Sequence, residues 1–290
     1  MRCLLLINMS SGNAQRAVNN KELIKSLEET YGTVEEKRIT EHDFDFNLKE
    51  YCKDYDAVAV CGGDGTFNAA INAVRGLDIE LLYIPCGTFN DAAHTLKSLE
   101  KLDDLQNRRI RRIDLGEFNG RLFSYVAAAG SFTAIGFLPK SKHKKLFKRL
   151  VYYFYAFKEY RLHHIKAQIT ANGNKYSGEY TLIMAIKSKY VFGLPFNRLY
   201  SHNSGAGHML LIKTPKGAFK IIKMFFLFFR AFFIGFNKEK HGKYIDFFNF
   251  TQAQIILDKK YDFCVDGERM LSAKENSLAF HRQMTKLFIP

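Results

Sequence analysis

The stretch 59–74, AVCGGDGTFNAAINAV, joins an apolar run to a helical pattern through an unusual loop. The apolar run ends at Cys61, and Gly-Gly-Asp-Gly-Thr separates it from a helix-like series of apolar residues, Phe67, Ile71 and Val74. Their spacing places them on one face of a helix that begins directly after the loop. Glycine loses more conformational entropy on folding than other residues, so three glycines at this junction destabilise it. Their presence indicates that this position needs a backbone without side chains.

The loop GGDGT at 62–66 has the chemistry of a phosphate site. Glycines let backbone N–H groups approach a ligand without obstruction by Cβ, and the positive end of the following helix favours an anion. Asp64 is compatible with a bound phosphate if Mg²⁺ lies between them, because Mg²⁺ prefers hard oxygen ligands. Thr66 adds a hydroxyl at the start of the helix. The alternative is a tight turn whose aspartate lies near a helix N-cap.

The first part of the chain repeats the order strand, loop, helix. Apolar strands are predicted at Cys3–Ile7, Ala57–Cys61 and Leu81–Ile84, and a polar, glycine-containing loop and a helical pattern follow each one. Such consecutive units predict parallel strands with right-handed crossovers, and therefore an open α/β sheet. Ligands of these sheets bind at the carboxyl ends of the strands, where all three loops are expected.

The character of the sequence changes near residue 111. Asn119-Gly120 predicts a two-residue hairpin turn, and short strands separated by turn signals follow it. We therefore expect an α/β nucleotide-binding domain over 1–120 and a mainly β-sandwich domain over 121–290. The C-terminal residues, about 275–290, are expected to return to the first domain.

The composition favours an anionic partner and a reducing environment. The 290 residues carry a formal net charge of +14, which suits nucleotides, nucleic acids or an acidic membrane surface. The five cysteines show no metal-ligand spacing, so neither a zinc site nor a disulfide framework is expected. The basic run NRRIRR at 107–112 has no accompanying nucleic-acid motif, so we expect no nucleic-acid partner. The N-terminal apolar run Cys3–Ile7 is too short for the core of a signal peptide.

Five motifs are distributed along the chain: NMSSG at 8–12, GGDGTFN at 62–68, PCGTFNDAA at 85–93, IDLG at 113–116 and VDGE at 265–268. In content and order they resemble the diacylglycerol kinase catalytic-domain family, in its small bacterial lipid-kinase form. The resemblance implies an α/β nucleotide domain followed by a β-sandwich domain that receives the lipid substrate. It also implies ATP-dependent phosphorylation of a lipid hydroxyl, that of diacylglycerol or a related lipid alcohol, with ATP and Mg²⁺ as cofactors.

The resemblance further implies roles for individual residues. Asp64, Asp91 and Asp114 match an acidic set that organises Mg²⁺ through water. The residues implied to contact the nucleotide are Asn8, Ser11, Gly12, Thr40, Gly62, Gly63, Asp64, Gly65, Thr66, Asn68 and Thr88.

The catalytic base is expected in VDGE, because phosphoryl transfer to an alcohol needs a group that accepts the hydroxyl proton. Asp266 and Glu268 are the two candidates. In a strand their side chains would point to the same side, so their spacing does not choose between them. A β-turn at Asp-Gly is the structural alternative.

Two alanines depart from the family pattern. Ala69 stands where the family commonly has Glu, and Ala206 stands where it commonly has an aspartate that helps to hold a structural Mg²⁺. We therefore expect no tightly bound metal near Ala206. The same departures support a catalytically silent nucleotide- or lipid-binding protein as an alternative function. A sphingoid-base kinase and an NAD kinase are further alternatives, since both families carry GGDGT.

Two segments are candidates for contact with a membrane. Residues 140–149 include six Lys or Arg and no acidic residue, and residues 217–236 are rich in phenylalanine. Helices are predicted at Lys140–Tyr160 and Gly217–Phe236. In the second, the uncharged stretches Met224–Phe229 and Ala231–Asn237 are far shorter than the roughly 20 apolar residues that span a bilayer. The alternative to membrane contact is a helix packed on the sandwich with a solvated basic face. We expect a cytoplasmic protein in peripheral contact with the anionic inner face of the membrane. The oligomeric state stays open, with a homodimer as one alternative.

Overall fold

The computed structural model of the chain describes residues 1–11, 13–14, 20–40, 48–87, 89–97, 109–131, 133 and 162–289. Gly12, Thr88, the basic run 140–149 and the predicted helix 140–160 lie outside these residues.

The chain forms two compact units, Met1–Ile113 together with Gln283–Pro290, and Asp114–Arg282. The boundary predicted near residue 120 falls inside the second unit. The last part of the predicted return segment, from Gln283 onwards, belongs to the first unit.

The first unit contains a parallel sheet with helices in its connections. Its strands are β1 (Arg2–Asn8), β2 (Thr33–Ile39), β3 (Ala57–Gly62) and β4 (Glu80–Pro85). Its helices are α1 (Lys21–Tyr31), α2 (Leu48–Cys52), α3 (Asp64–Ala73) and α4 (Asp91–Leu96). Strand β1 pairs in parallel with β2 and β3, and β3 pairs in parallel with β4, so the predicted open α/β sheet is confirmed.

The central strands of this sheet are apolar on both faces. All of β3 is buried, as is β1 after Arg2, which explains why their sequences are continuous apolar runs rather than alternating ones. Helix α1 packs on the sheet through Leu23, Leu27 and Tyr31. Its start is set by Asn20, whose side chain accepts a hydrogen bond from Leu23 N at 3.2 Å.

The second unit consists mainly of antiparallel strands. Strand β5 (Arg109–Phe118) begins in the first unit and continues into the second. The following strands are β6 (Arg121–Phe123), β7 (Val126–Gly130), β8 (Ile165–Ala171), β9 (Asn174–Ile186), β10 (Gly207–Lys213), β11 (Lys240–His241), β12 (Ile245–Phe250), β13 (Gln252–Leu257), β14 (Asp262–Val265), β15 (Glu268–Leu271) and β16 (Glu275–Ile289). Strand β16 ends in the first unit, where Leu287 pairs in parallel with Leu81 of β4.

Buried and exposed residues alternate along β8, and its buried residues belong to the core of the second unit. On β8, Ile165, Ala167 and Ile169 are buried while the residues between them are exposed, and the buried set joins one hydrophobic cluster with residues of β9, β10 and β13. The hairpin predicted at Asn119-Gly120 is confirmed, since both residues have positive φ (48° and 86°) between β5 and β6.

The helix predicted at Gly217–Phe236 is present with a change of geometry. Helix α5 spans Lys220–Phe228 and continues directly as a π-helical segment, Phe229–Ile234. Within the described parts of the chain, no helix is long and apolar enough to cross a membrane.

Candidate functional site

The loops after β1, β3 and β4 meet at the carboxyl edge of the parallel sheet. Asn8 Nδ2 donates a hydrogen bond to Thr66 Oγ1 at 2.8 Å, and both side chains are buried. The backbone N–H of Cys86 donates to the Gly62 carbonyl at 2.7 Å, and the Cys86 carbonyl accepts from Asn13 N at 3.2 Å. The described residues of the NMSSG, GGDGT and PCGTFND motifs therefore meet in one patch at this edge, although they are far apart in sequence.

Two glycines are required by close packing, Gly62 within the GGDGT loop and Gly87 where the third loop approaches it. A Cβ on Gly62 would lie 2.5 Å from Thr66 Cβ, and a Cβ on Gly87 would lie 2.8 Å from Gly63 Cα. Both distances are shorter than Cβ contacts in real proteins, whereas a Cβ on Gly63 would have its nearest neighbour at 3.5 Å. Packing between the loops is thus one reason for the glycines, in addition to access for a ligand.

Helix α3 presents its N-terminus at this patch. Gly63 is the N-cap residue, and as a glycine it has no side chain of its own to cap the helix. The first N–H groups of a helix have no partner within the helix, so an anion placed beyond Gly63 can accept hydrogen bonds from them. The sequence-predicted residues Asp64, Gly65 and Thr66 supply this first turn.

Asp64 links α3 to the start of α4. Its Oδ2 accepts from Asp91 N at 3.0 Å, and its Oδ1 accepts from Ala92 N at 3.2 Å and from the Tyr83 hydroxyl at 3.1 Å. Burial, followed by the nearby charge of Asp64, raises the pKa of Tyr83 well above its usual value, so Tyr83 stays a neutral donor. Asp64 therefore fixes the start of α4 through its side chain.

The remaining predicted nucleotide residues differ in their access to ligand. Ser11 is half-buried, Thr40 is exposed after β2, and Asn68 is fully buried within α3, where its carbonyl accepts from Asn72 Nδ2 at 2.9 Å. Gly12 and Thr88 are not among the described residues, so their roles stay predictions.

The acidic residues predicted for Mg²⁺ fall into two groups. Asp64 and Asp91 lie together in the first unit, and Asp114 belongs to the second. In the described ranges, no group of three or more Asp, Glu, His or Cys side chains is arranged to hold a metal by itself. Asp64 and Asp91 supply at most two carboxylates at this edge, so a nucleotide-bound Mg²⁺ would take most of its ligands from phosphate and water.

Asp114 forms a buried ion pair that the sequence did not reveal. Lys187 Nζ lies 3.0 Å from Asp114 Oδ2, and both side chains are almost completely shielded from solvent. The same nitrogen donates to the carbonyls of Ala206 at 2.8 Å and Ser201 at 3.2 Å, and to Ser204 Oγ at 3.3 Å. Burial lowers the pKa of Lys187, and the hydrogen bond and charge of Asp114 oppose that shift.

A structural divalent cation does not fit at this loop. The residue that would provide its carboxylate is Ala206, and the Ala206 carbonyl and Ser204 hydroxyl accept hydrogen bonds from the Lys187 ammonium. A metal beside that ammonium would be repelled. Lys187 thus supplies the positive charge that Asp114 and the loop oxygens require. No signal in the sequence near Lys187 marks it as the buried partner of Asp114, since a second lysine, Lys189, follows it in an ordinary polar stretch.

The two carboxylates of VDGE have different environments. Asp266 and Gly267, with φ of 48° and 92°, form the turn between β14 and β15. The expectation that Asp266 and Glu268 point to the same side of one strand is therefore wrong, because only Glu268 lies in a strand. Asp266 is completely buried and Glu268 is exposed.

Asp266 is fully engaged as a hydrogen-bond acceptor. Its Oδ2 accepts from Ser124 N at 2.5 Å and Ser124 Oγ at 2.8 Å, and its Oδ1 accepts from Tyr125 N at 3.0 Å and Val126 N at 2.9 Å. Burial raises the pKa of Asp266, and these donors oppose the shift. This carboxylate anchors the turn to the segment 124–126, and Glu268 is the carboxylate of the pair that solvent can reach.

Comparison with known proteins shows which family and fold the chain resembles. Residues 2–118 match the family model described as diacylglycerol kinase catalytic domain. A Bacillus subtilis protein named diacylglycerol kinase is 25% identical over 280 residues, covering 92% of this chain and 89% of its own. A Staphylococcus aureus protein of the same name is 29% identical over 134 residues, or 44% of this chain and 42% of its own. A crystal structure of a diacylglycerol kinase from Bacillus anthracis superposes with a TM-score of 0.72 at 18% identity, covering 100% and 97% of the two chains, and therefore shares the fold.

Replacing the buried carboxylate of the turn should destabilise the protein. In Asp266→Asn, an amide nitrogen replaces one acceptor oxygen and faces N–H and O–H donors. We expect the free energy of unfolding to fall by about 1–3 kcal/mol, measured by urea denaturation. Glu268→Gln, two residues away and exposed, is the matched control and should change stability by less than about 0.5 kcal/mol. Equal losses in the two variants would contradict the structural role of Asp266.

Removing the buried ammonium should be more costly still. Lys187→Met leaves Asp114 buried without its counter-charge, so we expect unfolding free energy to fall by about 3–5 kcal/mol. Lys189→Met, an exposed neighbour, is the control. The double variant Asp114→Leu/Lys187→Met should regain part of the loss because no buried charge remains.

The same measurements test for a structural metal. Thermal unfolding of the unmodified protein should be unchanged after dialysis against EDTA. A lowered midpoint after dialysis, or a Lys187→Met variant as stable as Lys189→Met, would show that the ammonium does not hold this loop.

Proposed function

Since residues 2–118 belong to the diacylglycerol kinase catalytic domain family, we propose that this protein transfers the γ-phosphoryl group of ATP to the hydroxyl of a membrane lipid. Diacylglycerol or a related lipid alcohol is the proposed substrate, because the Bacillus subtilis relative that carries this name aligns with 92% of the chain. The observation that carries the proposal is the meeting of three motif loops at the N-terminus of α3, where the N-cap residue is Gly63.

The ATP phosphates are proposed to lie against the first turn of α3. Backbone N–H groups at Asp64–Thr66 and the side chain of Ser11 are the donors that suit phosphate oxygens. Asp64 and Asp91 would hold Mg²⁺ together with phosphate and water. When bound, Mg²⁺ neutralises charge on the transferring phosphoryl group. Because the proposed substrate is a membrane lipid, we also propose that the reaction takes place at the inner face of the membrane.

We assign proton acceptance to Glu268. A general base must come within hydrogen-bond reach of the substrate hydroxyl, and of the two carboxylates Glu268 is the one exposed to an incoming substrate. Asp266 is enclosed by its own donors and serves as the positioning residue, because it holds the turn that precedes Glu268. This division of roles separates two candidates that their spacing in the sequence left equal.

The direct test is phosphorylation of lipid by the purified protein. Protein, Mg²⁺ and γ-labelled ATP are incubated with a total lipid extract, with sphingoid bases, or with NAD in separate reactions. Label in a chloroform-soluble product from the lipid extract is the expected result. Label only in a sphingoid phosphate or in a dinucleotide would replace the proposed substrate, and no labelled product in any reaction would identify a silent binding protein.

Loss of the proposed base should lower the chemical step alone. Glu268→Gln is expected to reduce kcat by about 10²–10⁴-fold while ATP affinity is retained, because general-base assistance acts in the transition state. Glu275→Gln, also exposed on a strand of the second unit, is the matched control. A Glu268→Gln enzyme with full kcat would exclude this assignment.

Neutralising the loop aspartate should weaken nucleotide binding. Asp64→Asn is expected to reduce affinity for Mg²⁺-ATP by about 10–100-fold, the loss of a charge-assisted interaction of about 1.5–3 kcal/mol. Calorimetric titration measures the affinity, and circular dichroism verifies that the variant is folded. Asp54→Asn, an exposed aspartate before β3, should bind as the unmodified protein does. Undiminished binding by folded Asp64→Asn would remove Asp64 from the nucleotide site.

A further inference from the structure

The segment Phe219–Ile234 is apolar on two opposite sides. One side contributes Met224, Phe228, Ala231 and Phe232 to a buried cluster of the second unit, together with residues of β9, β10 and β12. This side explains why the helix is attached to the strands. A helix that needs only to pack on a sheet is usually polar on its other side.

The other side carries large apolar residues that remain exposed. We call it the aromatic face, formed by Phe219, Ile222, Phe225, Phe226, Phe229 and Phe233. Phe219, Phe226 and Phe233 expose 68%, 60% and 64% of their surface. Among the described residues, every exposed phenylalanine belongs to this face. A contiguous apolar patch of this kind marks a contact with another surface.

The rings of the aromatic face are ordered against one another. Phe225 stacks on Phe229 with centroids 6.2 Å apart, and Phe229 stacks on Phe233 at 5.3 Å. Phe225 also meets Phe226 edge-on at 5.6 Å. The face is therefore a continuous row along α5 and the π-helical segment.

The surroundings of the aromatic face are basic. Lys216, Lys220 and Lys223 are exposed beside it, and Arg230 is partly exposed. No acidic residue occurs in the sequence between Glu179 and Glu239. A second copy of the chain would bring a like-charged rim against this one, whereas an anionic lipid surface would complement it.

We infer that the aromatic face inserts into the surface of an anionic bilayer, with the flanking lysines at the lipid head groups. The inference rests on the proposed function only in that a lipid kinase must reach its substrate in a membrane. The segment Lys220–Ile234 is too short to cross a bilayer, so the helix lies in the interface with its phenylalanines in the acyl boundary. The basic run at 140–149, which the sequence also indicated for this role, lies outside the described residues.

The test is co-sedimentation of the full chain with vesicles, without ATP. Vesicles of phosphatidylglycerol mixed with phosphatidylcholine are compared with vesicles of phosphatidylcholine alone. The unmodified protein should bind the anionic vesicles, more weakly as salt is raised, and should bind the neutral ones poorly. Phe226→Ala/Phe233→Ala should lower partitioning onto anionic vesicles by about tenfold or more.

Matched controls separate this face from general surface effects. Ile110→Ala/Ile256→Ala removes two other exposed apolar side chains and should leave binding unchanged. Lys220→Gln/Lys223→Gln should reduce the preference for anionic over neutral vesicles, whereas Lys259→Gln/Lys260→Gln, at an exposed strand end, should not. Urea denaturation verifies that each variant is folded.

Three results would overturn the inference. The first is that Phe226→Ala/Phe233→Ala binds anionic vesicles as strongly as the unmodified protein. The second is that the unmodified protein does not bind these vesicles. The third is that the control variants lose as much vesicle binding as the variants of the aromatic face. Sedimentation velocity of the free protein identifies the competing occupant, since a dimer that dissociates in the phenylalanine variant would assign the face to a second copy.

Activity on short-chain lipid in detergent separates the docking inference from the proposed function. If it persists without vesicle binding, only the docking inference fails; if vesicles bind but no lipid is phosphorylated, only the proposed function fails.

Discussion

A carboxylate removed from water must be paired, and the acidic motifs of this chain are built on that constraint. Asp266 is enclosed by four donors from Ser124, Tyr125 and Val126. Asp114 is held by the Lys187 ammonium and by Gly205 N at 2.7 Å. Asp64 joins two helix starts. Each carboxylate fixes a loop or turn, so the motif residues position one another before any ligand is considered.

Much of the fold follows from local patterns. Short continuous apolar runs at β1, β3 and β4 are typical of strands buried on both faces. Each is followed by a loop and a helical pattern, which favours a parallel sheet. Asn119-Gly120 determines a hairpin because both residues tolerate positive φ. The meeting of the motif loops then follows, because the carboxyl ends of parallel strands share one edge.

The features that could not be predicted depend on contacts distant in sequence. Lys187 lies 73 positions from Asp114, and nothing in its own neighbourhood marks it as buried. Asp266 has the same Asp-Gly sequence whether it serves as a turn or as a catalytic strand residue, and only its donors at 124–126 distinguish the two. The segment Phe219–Ile234 is apolar on two opposite sides, so which side is buried depends on the strands against which it packs.

The buried lysine changes how the departures from the family pattern are interpreted. Ala206 alone suggests a lost metal and hence a degenerate relative. In the structure, however, the Ala206 carbonyl and Asp114 are both bound to the Lys187 ammonium, so the loop keeps a cation although it has lost a carboxylate. The Lys187 ammonium carries one positive charge and a divalent metal carries two, so the ammonium needs one fewer carboxylate. The loop can therefore have an alanine at position 206 in place of an aspartate. Ala206 therefore gives no support to a silent protein, and that alternative now depends on Ala69, a half-buried position in α3.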